Sequence, residues 1–361
     1  MRLYTNAIKI SRRGLLGGVA AVGGSLYLAA ADDLDILYSE AKREGALNYY
    51  GGGPTATHQR AIDEFSKSFP GIEVDLAAGF SNQLTPRIDE QIARNKMKAD
   101  ITVLQTIQDF ERWRRAGVLL PNRGPNFDQV LDTFKDADGT SVGVRVYALA
   151  YAYNPDLVGP DDIPKSALDF LRPKFSGQVI STYPHDDDIT LYLYYTIVQK
   201  YGWDYMQRLM DNKPRFIRGH LGVTQEIARG RAALSFDVSA SSVVSGAGDG
   251  AIKVTFPAED RVPIFETRAG IFKGAPHPNA ARLFEAWLLS RDYQSRQGAW
   301  SSRKDVAPTG GFKPITDYNT ASQFRDFMLD EPLVADLRKR FESYIGAVSG
   351  DPVLGGGGSN R

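Results

Sequence analysis

The sequence predicts an α/β protein whose main sheet is largely parallel. Short β-branched or alternating runs recur between stretches with apolar residues at helical spacing, in the order β-α-β-α-β over residues 46–118. The 361 residues exceed one small domain and suit two domains with separate cores. Hydrophobic residues at 42% and charged residues at 24% are ordinary for a soluble globular chain, which excludes a disordered, collagen-like or coiled-coil protein.

Lys and Arg together number 43, as do Asp and Glu, so the net charge is zero and a strongly basic nucleic-acid binder is not expected. Cysteine is absent, so no disulfide, thiolate metal site or cysteine nucleophile is available. Residues 1–31 carry Arg2, Lys9, Arg12 and Arg13 and no acid. A Gly- and Ala-rich apolar run follows and ends at Ala29-Ala30-Ala31, the layout of a secretory signal peptide. Ser11-Arg12-Arg13-Gly14-Leu15-Leu16 resembles the twin-arginine export motif. An ordinary signal or an uncleaved anchor is the alternative. Cleavage there leaves 330 residues with 39 basic and 43 acidic side chains, a net charge of −4.

The elements follow in order. Ala46-Leu47-Asn48-Tyr49-Tyr50 reads as a strand broken by Gly51-Gly52-Gly53-Pro54. Thr55 or Thr57 can cap a helix with Ile62, Phe65 and Phe69 on one face. Ile72 to Leu76 alternates like a strand, and Ser81 or Asn82 can cap the next helix, carrying Leu84, Ile88 and Ile92. Asp100 to Leu104 is a third strand, before a helix with Phe110, Trp113 and Val118. Val142 to Tyr153 is a long β-branched and aromatic strand. Val179-Ile180-Ser181 is a strand, Ile189 to Gln199 a buried helix, and Ala232–Phe236 and Ile252–Phe256 are strands. From Ala280 a helix carries Phe284, Trp287 and Leu288. Residues 351–361 have flexible-linker composition and are expected to be disordered.

Three stretches carry a resemblance. The first runs from Val254-Thr255-Phe256-Pro257 through Ala269-Gly270-Ile271-Phe272 to Pro278-Asn279-Ala280-Ala281 and Leu288-Leu289-Ser290. The others are Gly45-Ala46-Leu47-Asn48-Tyr49-Tyr50 and Ala228-Arg229-Gly230-Arg231-Ala232-Ala233-Leu234. In this order the chain resembles the periplasmic solute-binding proteins of bacterial ABC importers, in the iron(III)-type subgroup that also holds binders of organic phosphates, phosphonates and thiamine. The resemblance covers most of residues 39–308. It implies a two-lobed type 2 periplasmic-binding fold, with two α/β sheets, a ligand cleft and two hinge crossings. Residues 32–150 and 266–350 would form one lobe and 151–265 the other. The crossings would lie in the strand at 142–153 and near 257–270.

In such folds ligands sit beyond strand ends, where helix N-termini face the cleft. That nominates Gly52, Gly53 and Thr55 after the first strand, and Gln105 and Thr106 after the third. Ser181, Thr182 and Asp186 belong to a loop that faces the cleft in this family; its three aspartates can meet a cation or amine, or simply cap the following helix. Arg218 can clamp an oxyanion through two donors, or lie on the surface. Ser239 and Ser241 follow the strand at 232–236, where ferric-ion binders of the family place two adjacent tyrosines. Tyr194-Tyr195 lies instead within the apolar helix and reads as packing. Tyr147, Tyr151 and Tyr153 are expected to pack or to wall the ligand, and His58 and His277 to be solvated.

No Gly-x-Ser-x-Gly elbow, His-Glu-x-x-His helix or phosphate loop with Gly-Lys-Ser/Thr occurs. The expectation is therefore a non-enzymatic, monomeric, extracytoplasmic binding protein without cofactor or resident metal. It captures a small anionic organic solute by lobe closure and delivers it to an ABC permease of the inner membrane. The alternatives are ferric-ion or ferric-complex binding, an exported hydrolase, and a sensory binding protein without a transport role.

Overall fold

The computed structural model describes residues 34–351 except 54, 245 and 247–250. The expected signal segment 1–31 and residues 352–361 of the expected tail lie outside the described residues. Helix α1 (34–44) leads into β1 (Ala46–Gly52), α2 (Thr55–Ser68), β2 (Glu73–Gly79), α3 (Ser81–Ala93), β3 (Ile101–Leu104) and α4 (Ile107–Arg115). Strand β4 (Val142–Tyr153) then leaves this body. A second series follows: β5 (Ile180–Thr182), α5 (Asp188–Tyr201), α6 (Asp204–Asp211), β6 (Arg215–Ile217), α7 (His220–Ala228), β7 (Leu234–Ser239), α8 (Ala240–Val244) and β8 (Lys253–Thr255). Strand β9 (Val262–Ile271) returns, before α9 (Pro278–Leu288), α10 (Arg291–Gln294), β10 (Thr320–Ala321), α11 (Phe324–Leu329) and α12 (Glu331–Ile345).

The apolar spacing acts as its period dictates. Ile62 and Phe65 of α2 and Leu84 and Ile88 of α3 are buried, and so is nearly every side chain of α5 from Ile189 to Val198. The cap expected at Ser81 or Asn82 differs. Phe80 occupies that position with no side-chain cap, because the Ser81 hydroxyl instead accepts the backbone N–H of Gln105 at 3.1 Å.

The main sheet has eight strands, with six in the order β2-β1-β3-β9-β4-β7, β10 beside β9 and β8 beside β4. It is less parallel than expected. β2-β1-β3 is parallel, but β3–β9, β9–β4, β4–β7 and β4–β8 are antiparallel. Parallel neighbours need a crossover on one face of the sheet; β4 and β9 instead run out of one body and back. Strands β5 and β6 form a parallel pair, tied to the main sheet by a bridge between Val179 and Leu234.

β4 changes partner midway. Val142 to Ala148 pairs with β9, and Leu149 to Tyr153 pairs with β7. Its alternation also feeds two cores: Val142, Val144, Val146 and Ala148 enter the cluster with Phe65 and Phe284, while Leu149, Tyr151 and Tyr153 enter the cluster with Phe170, Tyr194 and Phe236. The C-terminal helices depart from the expected boundaries. Phe324, Phe327, Leu337 and Phe341 of α11 and α12 belong to the second core, not to the body expected to hold 266–350. Aromatic contacts fix them there: Phe327 meets Tyr192 and Tyr195 at 5.0 Å, and Phe341 meets Tyr194 at 5.5 Å.

Candidate functional site

The crossing strands floor a cleft between the two bodies. Tyr147 of β4 and Phe265 of β9 are cross-strand partners whose rings stack at 5.1 Å. A chamber opens on either side of this pair. The first, of 460 Å³, lies between α3 with the β3–α4 junction and the β5–α5 loop with α11 and α12. The second, of 480 Å³, lies between α2, the start of α8 and the segment 293–300, with Arg145 and Tyr147 at its floor.

The structure brings Gln105, Thr106 and Asp186 together in the first chamber. Thr106 is buried and its hydroxyl has no hydrogen-bond partner among the described residues. Asp186 is held by Arg218, whose Nε and Nη2 donate to its two oxygens at 2.8 and 3.1 Å. The nominated arginine and aspartate therefore engage each other. Asp187 caps α5 by accepting from the Thr190 N–H at 2.9 Å and also faces His220 Nε2 at 3.3 Å. Asp188 pairs with Arg338 of α12.

Ser181 and Thr182 lie elsewhere. Ser181 is fully buried; its hydroxyl donates to Asp237 at 3.0 Å and accepts from Tyr194 at 2.9 Å, while the Thr182 N–H donates to the same carboxylate at 2.6 Å. Ser239 is also buried. Ser241 lines the second chamber and its hydroxyl accepts from the Ala299 N–H. Thr55 is exposed on the first turn of α2. Gly52 is needed for close approach, since a Cβ there would collide with the Ser81 hydroxyl, and Gly53 turns through φ +112°.

The two histidines expected in solvent are not there. His58 is buried under the β1–α2 turn: Tyr49 donates to its Nδ1 at 2.7 Å and its Nε2 donates to the Gly52 carbonyl at 3.1 Å. His277 is half-buried, with Nδ1 2.9 Å from the fully buried carboxylate of Asp100. A polar anchor inside a glycine turn leaves no periodic trace, which is why helical spacing did not reveal it. Among the described residues no group of three or more His, Asp or Glu side chains is placed to hold a metal ion.

Arg145 was missed. It is the one charged side chain in the run from Val142 to Tyr153, and that isolation was its only signal. Its Nη2 donates to the Tyr293 hydroxyl at 3.1 Å. Thr57, Arg60 and Ser242 face the same chamber and were also unassigned.

Two α/β bodies that exchange two antiparallel strands over a cleft define the type 2 periplasmic-binding fold. The chain belongs to the bacterial extracellular solute-binding protein family, whose model matches residues 46–299. Iron-bound HitA from Pseudomonas aeruginosa is similar in structure, with a TM-score of 0.68 at 19% identity over 82% of this chain and 99% of that one. So is AfuA from Actinobacillus pleuropneumoniae with exogenous fructose-6-phosphate bound, at TM-score 0.65 and 18% identity over 83% and 98%. A Fe(3+)-binding periplasmic protein from Serratia marcescens is 23% identical over 168 residues, 45% of this chain and 46% of that protein. An uncharacterized protein from Haemophilus influenzae is 21% identical over 213 residues, 56% and 61% respectively. The matches thus span less than two thirds of these curated relatives' length. No helix of the described residues is long and apolar enough to cross a membrane.

Proposed function

We propose that the protein is an extracytoplasmic binding protein that captures a small organic solute by closing its two bodies, and delivers it to an ABC permease without chemical change. The carrying observation is the stacked Tyr147–Phe265 pair on the crossing strands, with polar chambers on both sides lined from both bodies. A solute bridging those linings favours the closed form by its differential affinity for it. Export through the twin-arginine route fits Ser11 to Leu16, and a monomer suffices because both halves of the cleft come from one chain.

The solute is taken to be an anionic organic compound. Bare ferric ion is the weaker reading. Ser239 to Ser242 stand where paired tyrosines would be, and Tyr194 is locked in the core against Phe236 and Ser181. The test is a thermal-shift panel of ferric citrate, sugar phosphates, phosphonates, carboxylates, polyamines and thiamine on the purified chain. A ligand at a hundred times its dissociation constant stabilises by about 2.7 kcal/mol. A rise with an organic anion, with small-angle scattering showing compaction, supports the reading. Visible charge-transfer colour with ferric ion would replace it by the iron reading.

A further inference from the structure

We infer that the second chamber is an oxyanion site in which Arg145 binds the phosphate, phosphonate or carboxylate group of the solute. Arg145 rises from β4 beside Tyr147, half-buried at the chamber floor. A guanidinium has five N–H donors. Its hydrogen bond is to the Tyr293 hydroxyl, and it forms no ion pair with a carboxylate of the described residues. The other arginine of the crossing strands behaves differently: Arg268 on β9 is paired with both Glu266 and Asp136. An arginine taken out of water without a counter-ion is costly, and an oxyanion accepting two parallel N–H bonds is the matching partner.

The rest of the lining agrees. Arg60 adds a guanidinium with no ion pair among the described residues, while Arg296 is already paired with Glu64 at 3.0 Å and Asp292 at 2.7 Å. Thr57 and Ser242 add hydroxyls from opposite bodies. The anion would therefore sit where α2 and α8 approach, and its bonds would span the cleft.

This rests on the solute-capture reading, and the test separates the two. Inorganic phosphate, methylphosphonate and acetate are titrated calorimetrically against the full chain at constant ionic strength, with chloride as background, and erythritol runs beside them as a neutral solute. At least one anion is expected to bind, and Arg145→Gln to weaken it about tenfold or more. Arg145→Gln is expected to unfold in chloride no earlier than the parent, because it removes a half-buried cation that has no counter-ion. Thr57→Ala, at an exposed helix position, guards against a folding defect and is expected to weaken the same anion to a lesser degree. Binding of none of the anions, or equal binding by parent and Arg145→Gln, overturns the site. Erythritol binding unchanged in Arg145→Gln, without anion binding, would sink the site and leave solute capture standing. Arg145-dependent anion binding without compaction in scattering would keep the site and remove closure.

Discussion

Tyr147 and Phe265 face each other across the β4–β9 ladder, with ring planes 20° apart. Phe265 also reaches Phe324 of α11 at 6.3 Å, so one buried ring joins the hinge to the C-terminal helix. Phe265→Ala should cost about 3–5 kcal/mol, as removal of a buried phenyl ring does. Tyr147→Phe keeps the stack and should stay within about 0.5 kcal/mol. Urea unfolding of the two variants checks both figures; a cost below about 1 kcal/mol for Phe265→Ala would show that the stack does not hold the floor.

Ser181 connects β5 to β7. Its hydroxyl bridges Tyr194 and Asp237, and Asp237 also accepts from Ser235 at 2.5 Å. Ser181→Ala strands the Tyr194 hydroxyl and removes one donor from the carboxylate, a loss of about 1–3 kcal/mol. Affinity for whichever solute binds the parent should not change. Denaturation and calorimetric titration on the same preparation read the two effects separately, and a loss of affinity with unchanged stability would return Ser181 to the site.

These positions mark where sequence reasoning ran out. Alternation and helical spacing located β1 to β4, α2 to α5 and α9, because burial of one face leaves a period in the chain. It did not say which way a polar side chain at a strand end points. Ser181 and Thr182 stand at a strand end, yet Asp237, 55 residues on, draws them into the core. Arg218 reads in the sequence as an oxyanion clamp or a surface residue, and nothing local signals that Asp186, 32 residues away, holds it. Arg145 was hidden by the opposite effect: a β-branched run hides its one charge until the strand is known to floor a cleft.

His220 and Asp187 should make stability fall on the alkaline side. Burial alone would lower the imidazole, but the charge and hydrogen bond of Asp187, followed by Asp237, outweigh it and lift the group to about 9. Asp187 is itself held down at about 2, its own burial being overcome by His220 and the Thr190 N–H. Stabilisation by the protonated imidazole is complete below the unfolded value of about 6.5 and is lost as pH rises through about 9. The Asp187 share is present above about 3.8 and is lost as pH falls toward 2. Melting temperatures should therefore decline between pH 6.5 and 9, and His220→Gln should remove most of that slope. An unchanged slope in His220→Gln would assign the decline to other groups.

His58 should act with the opposite sign on the acid side. Burial, and then the positive charge of Arg145, push its imidazole down to about 4, while the bond to the Gly52 carbonyl pulls weakly the other way. Between about 6.5 and 4 the unfolded chain takes up a proton that the folded chain refuses, so stability falls as pH drops through that window and is flat above it. His58→Gln should remove this acid limb, at the cost of the Tyr49 and Gly52 hydrogen bonds at neutral pH, about 1–2 kcal/mol. Arg145→Gln removes the second cause and keeps the first. The His58 titration, followed by NMR, should then move upward and still stop short of 6.5, because the ring remains buried beneath the β1–α2 turn. A His58 titration unmoved by Arg145→Gln would mean that the arginine's charge is already neutralised, and the same result would weaken the case for an oxyanion beside it.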